Sequence, residues 1–177
     1  SPFLKADRVR EAEKYNMSQT VPGRINSIVN IHNPSIEFHP VDRGLNTGAV
    51  IILAAGGGHR TLNAGGESAD FVPYFYNHGI NTVILRNRLR ADGYVAETDA
   101  VNDALQAIRL VRAYAKEWNL DPKKIGIMGF SAGAELAAPA AWKPLRRGRP
   151  ATRQKSKRAA WRAFRRRSLP QQAGRRA

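Results

Sequence analysis

The residues best suited to chemistry are Gly129-Phe130-Ser131-Ala132-Gly133, which match the pattern G-x-S-x-G. The apolar segment "KIGIM" enters this pattern and "AGAELAA" leaves it, so we predict a tight turn between a buried strand and a helix. Gly129 and Gly133 allow such a turn because a Cβ atom there would collide with the neighbouring strand or helix. We therefore predict that Ser131 is a nucleophile, although a glycine-rich turn of another α/β fold is the alternative.

A second glycine-rich segment, Gly56-Gly57-Gly58, follows the apolar run "VIILAA". Glycines leave backbone N–H groups unobstructed, so we expect Gly57 and Gly58 to donate to an oxyanion together with the N–H of Ala132. A phosphate-binding loop is the rival interpretation. The patterns G-x-x-x-x-G-K-[ST] and G-x-G-x-x-G are both missing at this point, and a flexible turn is the remaining alternative.

Alternating strands and helices must position these two loops. Continuous apolar runs predict strands buried on both faces over residues 48–55, 80–87 and 123–129. Helices are predicted between them, a short one ending at Gly79 and a long one with Thr98 as its N-cap. This order predicts a mostly parallel sheet with flanking helices. Residues 24–33 and 35–42 are predicted to form an early antiparallel pair of strands.

The order "VIILAAGGGH", "INTVILRNRL" and "IGIMGFSAGAELAA" resembles the α/β-hydrolase fold, in particular the bacterial esterase branch that includes acetyl-xylan and other carbohydrate esterases. The resemblance covers about residues 24–141. It implies an acyl-enzyme on Ser131, an oxyanion hole made by Gly57, Gly58 and Ala132, and release by water. It further implies a small-molecule or carbohydrate ester as substrate, with no cofactor and no metal.

The rest of a catalytic triad cannot be assigned. In this fold Asp or Glu and then His follow the serine, whereas here Glu135 is the only acid after Ser131 and no histidine follows it. His59 adjoins the glycine loop, and we interpret it as a polar loop residue, not as a base. We therefore predict a partial α/β-hydrolase fold that is truncated after the elbow, with the elbow strand near an open edge and with little activity from this chain alone.

Charge divides the chain of 177 residues into different kinds of sequence. Residues 1–142 carry 15 Lys/Arg and 14 Asp/Glu, whereas residues 143–177 carry 14 Lys/Arg and no acid. We predict a polar lead-in over residues 1–20, mobile or loosely helical, and the N-terminal half of a hydrolase domain over residues 21–142. Residues 143–177 are predicted to be a disordered basic tail.

Three explanations of the basic tail stay open. A change of reading frame near Trp142 is favoured, because Arg, Ala, Pro and Gly dominate the residues that follow it. The second is nucleic-acid binding, in which basic side chains contact phosphates while Trp161 and Phe164 stack on bases. The third is an amphipathic helix on an anionic membrane.

Composition excludes several other classes of protein. The chain has no cysteine, so disulfides, thiol catalysis and cysteine metal sites are excluded. Its apolar fraction of 42% is enough for one buried core, and no run approaches the roughly 18 apolar residues of a membrane span. The cellular compartment stays open.

Overall fold

The structure is a computed structural model, and it describes residues 12–142. Six strands and three α-helices form in this part of the chain. The strands are β1 (Lys14–Met17), β2 (Ile25–Val29), β3 (Ser35–His39), β4 (Val50–Ala54), β5 (Asn81–Arg86) and β6 (Ile125–Gly129). The helices are α1 (Val72–Asn77), α2 (Val101–Tyr114) and α3 (Ala132–Trp142).

The main sheet has the strand order β3-β5-β4-β6. β4 pairs in parallel with both β5 and β6, and β3 pairs antiparallel with β5. The predicted mostly parallel sheet with flanking helices is therefore confirmed. From β4 the chain first crosses to β5 on one side and later returns to β6 on the other. The loops that follow β4 and β6 thus diverge at a topological switch point, where open α/β sheets bind their ligands.

The core lies around β4 and β5, whose side chains are almost all buried. Both strands are rich in β-branched residues and pack against helices, as expected of parallel strands covered on two faces. Ile52, Leu53 and Val83 are fully buried in these strands. The apolar side of α2, including Ala104 and Val111, is buried as well. The carboxyl ends of the two strands are therefore held in place by the best-packed part of the molecule.

The start of the long helix differs from its prediction. A π-helical turn, Ala96–Ala100, precedes α2, and Thr98 lies inside that turn without capping the helix. The Asp99 carboxylate accepts a hydrogen bond from the N–H of Val95 at 2.8 Å. The predicted N-cap at Thr98 is therefore wrong. The side chain that accepts from a free N–H at this helix start is that of Asp99, the residue after Thr98.

The early strands pair differently from the prediction. β2 pairs antiparallel with β1, while β3 pairs with β5, so the two predicted strands do not pair with each other. β1 also forms inside residues 1–20, and its residues 14–17 are extended, not loosely helical. Both corrections have one cause, which is that a strand's partner depends on contacts that are distant in sequence.

The outer side of β6 carries no partner strand among residues 12–142, and this agrees with the prediction that the elbow strand lies near an open edge. Short α1 ends at Asn77, two residues before the predicted stop at Gly79, which has a left-handed φ of 71°. Between Ala12 and Trp142, no helix is long and apolar enough to cross a membrane.

Candidate active site

The predicted elbow is a sharp turn between β6 and α3. β6 ends at Gly129, α3 begins at Ala132, and Ser131 adopts a left-handed φ of 49°. This conformation costs a residue with a Cβ atom about 1–2 kcal/mol, so the surrounding packing must hold it. The Ser131 side chain is exposed, whereas Ala132 is buried. The turn therefore presents the hydroxyl group to solvent at the carboxyl edge of the sheet.

The two flanking glycines are required by close backbone contacts. A Cβ atom on Gly129 would lie 2.3 Å from the carbonyl oxygen of Gly133, inside the turn itself. A Cβ atom on Gly133 would lie 2.0 Å from the carbonyl oxygen of Ala54 and 2.7 Å from that of Ala55. Real Cβ atoms essentially never approach other atoms below 3.0 Å. The predicted role of these glycines, which is to let helix and strand approach, is thus visible in the packing.

The glycine loop contacts the elbow directly. A Cβ atom on Gly56 would lie 2.5 Å from the carbonyl oxygen of Phe130 and 3.0 Å from the Cβ of Ser131. The N–H of Gly56 donates to the Glu67 carboxylate at 2.6 Å, which fixes the start of the loop. Gly57 has a φ of 121°, a conformation that side-chain-bearing residues rarely adopt. The fold therefore brings the two sequence-predicted segments together at the switch point.

The N–H groups of the predicted oxyanion donors have no hydrogen-bond partner among the described residues. Gly57 and Gly58 lie in the loop after β4, and Ala132 is the first residue of α3. Among the described residues, no hydrogen bond occupies the N–H groups of these three. The next two N–H groups of the helix are used, because Gly133 donates to Phe130 and Ala134 to Ser131. Free N–H groups at a helix start favour a negative charge.

One pair of residues was missed by the sequence reasoning. The Nε2 of His59 donates to the Oε2 of Glu135 at 2.8 Å, which joins the glycine loop to the first turn of α3. His59 is only 6% exposed, and its own carbonyl accepts a hydrogen bond from Ala91. A signal was available, because Glu135 lies four residues after Ser131 and therefore on the same helix face.

The histidines do not supply a base to the serine. Within the described region, no hydrogen bond joins the Ser131 hydroxyl to any histidine. His32 contacts Tyr94, and His78 donates to the backbone of its own helix. The Nε2 of His59 contacts Glu135, not Ser131. The prediction that no general base can be assigned in this chain stays a prediction.

His39 is part of a charged cluster on β3, far from the elbow. Its Nε2 lies 3.3 Å from Glu37, and Arg86 lies 2.8 Å from the other oxygen of that carboxylate. The contact with the His39 ring is the main cause that holds the pKa of Glu37 below its ordinary value, and the charge of Arg86 adds to it. These groups stabilise the β3–β5 pair and have no chemical role at Ser131.

The loop after β5 is held by a buried ion pair. Arg88, only 2% exposed, donates to both oxygens of Asp103 on α2, with a shortest distance of 2.6 Å. Burial disfavours its charge, but the hydrogen bonds and charge of Asp103 hold the pKa of Arg88 above its ordinary value. The guanidinium also lies 5.2 Å from the centre of the Tyr94 ring. Asp103, in the first turn of α2, fixes this loop beside the glycine loop.

The described side chains form no group of three or more His, Asp or Glu residues that could hold a metal ion. The arrangement at the elbow places a hydroxyl group beside N–H groups that have no hydrogen-bond partner among the described residues. That is the arrangement used in acyl transfer.

A family model for BD-FAE matches residues 38–155 of the chain. The chain belongs to the BD-FAE family. The match ends at residue 155, inside the predicted basic tail of residues 143–177. The predicted division of the chain into residues 1–20, 21–142 and 143–177 stays a prediction. Residues 143–177 lie outside the described residues.

Similar proteins are esterases of the α/β-hydrolase fold. The chain is 35% identical over 92 residues to an acetylxylan esterase from Xylanibacter ruminicola, a match that covers 52% of this chain and 18% of that protein. It is 33% identical, with a TM-score of 0.54, to an acetyl ester-xyloside bifunctional hydrolase from Caldicellulosiruptor lactoaceticus; the match covers 59% of this chain and 37% of the other.

A third match is to a propionate-bound esterase from Thermogutta terrifontis, at 30% identity and a TM-score of 0.52, over 62% of this chain and 40% of the other. In all three cases the chain spans less than half the length of its relative. The predicted resemblance to the esterase branch of the α/β-hydrolase fold is confirmed by these matches.

Proposed function

We propose that the chain carries the nucleophile and the oxyanion site of a serine ester hydrolase, with Ser131 as the nucleophile. The observation that carries this proposal is the left-handed φ of 49° at Ser131, held between glycines that leave no room for a Cβ atom. Such strain persists only where the surrounding packing maintains it, and it clusters at functional sites.

The reaction follows from the positions of these groups. The Ser131 oxygen attacks the carbonyl carbon of an ester, and the new C–O bond pushes the carbonyl electrons onto oxygen. The N–H groups of Ala132, Gly57 and Gly58 stabilise that oxyanion, and each such donor is typically worth about 10²–10³-fold in rate. The alcohol then leaves, taking up a proton, and water releases the acid from the acyl-enzyme.

Among the described residues, no histidine is hydrogen-bonded to the Ser131 hydroxyl, and the Nε2 of His59 contacts Glu135 instead. In serine proteases, loss of the base lowers kcat on the order of 10⁶-fold, while the oxyanion site retains part of the catalysis. We therefore propose that Ser131 reacts slowly in this chain and requires a base that the described residues 12–142 do not supply.

The proposed substrate is a small acyl ester, in particular an acetyl ester, of a carbohydrate. Two similar proteins support this choice, since one is named an acetylxylan esterase and the other an acetyl ester-xyloside hydrolase. The prediction that the basic tail binds nucleic acid concerns residues outside the described region and stays a prediction. The cellular compartment stays unassigned.

The proposal is tested by covalent labelling with a fluorophosphonate probe. We expect slow labelling at a single site that is lost in Ser131→Ala and kept in Ser18→Ala, a serine remote from the elbow that serves as the matched control. Labelling that persists unchanged in Ser131→Ala would refute Ser131 as the nucleophile.

A further inference from the structure

A cleft of about 340 Å³ lies beside β1, separate from Ser131. Its described lining residues are Ala12, Glu13, Tyr15, Asn30, His32 and Asn33. Its volume is at the lower end of the range for small-molecule sites, which begins near 300 Å³. The reaction proposed for Ser131 uses none of these residues.

The aromatic side chain of the cleft is held in position before any ligand arrives. The Tyr15 ring is 45% exposed, and the guanidinium of Arg86 lies 5.9 Å from its centre. The Tyr15 hydroxyl donates to Glu13 at 2.7 Å, and it accepts a hydrogen bond from Arg86 at 3.3 Å. A ring fixed in this way offers a flat apolar surface with little loss of entropy on binding.

The charges of the cleft are balanced. Glu13 is the acidic lining residue, and Arg86 lies 3.2 Å from its carboxylate. Asn30 and Asn33 are the other polar residues of uncharged type that line the cleft, and an amide side chain both donates and accepts hydrogen bonds. A fixed aromatic surface with neutral hydrogen-bonding groups suits an uncharged ligand that carries several hydroxyl groups, and it does not suit a free ion.

The cleft lies beside the carboxyl end of β5, because Arg86, the last residue of that strand, donates to both Glu13 and Tyr15. β3 begins at Ser35, which lies opposite Arg86 at the carboxyl end of β5. β3 and β6 are three strand spacings apart, roughly 14 Å. The intervening turn is fixed at both sides, because Asp92 accepts from the N–H of Ile31 and Ala91 donates to the carbonyl of His59. One extended chain molecule can therefore reach both places.

We propose that this cleft binds a sugar unit of a neutral polysaccharide, several units away from the ester that Ser131 attacks. The inference rests on the proposed function for the nature of the substrate, but binding at the cleft requires no reaction at Ser131. The cleft would select long carbohydrate chains over small esters.

The test is calorimetric titration of the full chain with unesterified xylotetraose at about 150 mM salt, where charge effects are screened. We expect a dissociation constant near 1 mM, and Tyr15→Ala should weaken it between about threefold and tenfold. Tyr15→Phe should keep most of the affinity because it keeps the ring. Tyr74→Ala, which removes from α1 a tyrosine that is 59% exposed against 45% for Tyr15, should leave the affinity unchanged.

Asn33→Ala provides a second variant if Tyr15→Ala does not fold, and it should weaken binding as well. Absence of binding up to about 20 mM sugar, or equal affinity in the variants and the unaltered chain, would overturn the inference. A preference for an anionic uronic-acid oligosaccharide would also overturn it, since charge would then decide the binding.

The two proposals fail separately. Ser131→Ala should bind xylotetraose as tightly as the unaltered chain does. If Ser131 is labelled by the fluorophosphonate probe and the sugar does not bind, the cleft inference fails alone. If the sugar binds through Tyr15 and Ser131 is not labelled, the proposed catalysis fails and the cleft stands.

Discussion

Replacing Gly133 by alanine tests whether the packing of α3 on β4 maintains the elbow. The new Cβ atom would lie 2.0 Å from the carbonyl oxygen of Ala54, and backbone cannot move away as a flexible side chain can. An ordinary contact begins near 3.4 Å, so helix and strand must separate by more than 1 Å. Overpacking of this kind costs about 3 kcal/mol.

Two smaller effects act on the same substitution and nearly cancel. Separation of the helix weakens the 2.7 Å hydrogen bond from Gly133 to Phe130, which is worth about 1 kcal/mol. Alanine favours a helix over glycine by about 1 kcal/mol, which offsets that loss. We therefore expect Gly133→Ala to lower the free energy of unfolding by about 3 kcal/mol.

The assay is urea denaturation followed by far-ultraviolet circular dichroism. Gly66→Ala is the matched control, because a Cβ atom at Gly66 meets nothing within 4 Å and its φ is not left-handed. It should change stability by less than about 0.5 kcal/mol. If Gly133→Ala is as stable as Gly66→Ala, the argued contact between α3 and β4 is wrong.

Four further substitutions probe the residues that support the site. Asp103→Ala leaves the buried charge of Arg88 without its main partner and should cost about 3–5 kcal/mol in urea unfolding, while Asp99→Ala should cost less. Ile52→Ala leaves a cavity beside the central strand β4 and should lower the free energy of unfolding by about 2–5 kcal/mol in the same measurement. The pKa of Glu37 is lowered in the folded protein. The ionised Glu37 therefore stabilises the fold above its unfolded pKa of about 4.5, and this stabilisation is lost as the pH falls through its folded pKa. Glu37→Gln should therefore reduce the loss of stability between about pH 5 and 3, by about 1 kcal/mol or less, and an unchanged acid limb would contradict this assignment.

The features that could be predicted from the sequence are those set by local patterns. β4 and β5 were predictable because strands buried on both faces read as continuous apolar runs. The turn at Ser131 was predictable because its glycines stand two residues to either side of the serine, where the chain packs most tightly.

The features that escaped prediction depend on contacts between distant residues. β2 pairs with β1 instead of β3, and nothing in a five-residue strand specifies which neighbour it meets. His59 and Glu135 are 76 residues apart, and only the meeting of the two loops at one sheet edge joins them. The polar cleft beside β1 likewise arises from segments that the sequence does not place together.

The central claim is that Ser131 is a nucleophile positioned for reaction but lacking its base. The most direct measurement is the rate of fluorophosphonate labelling with and without added imidazole, with the modified residue identified by peptide mass spectrometry. We expect slow labelling at Ser131 that imidazole accelerates, because the small base supplies the missing proton acceptor. Labelling at Ser131 that is rapid and indifferent to imidazole, or an adduct that never forms at Ser131 under either condition, would contradict it.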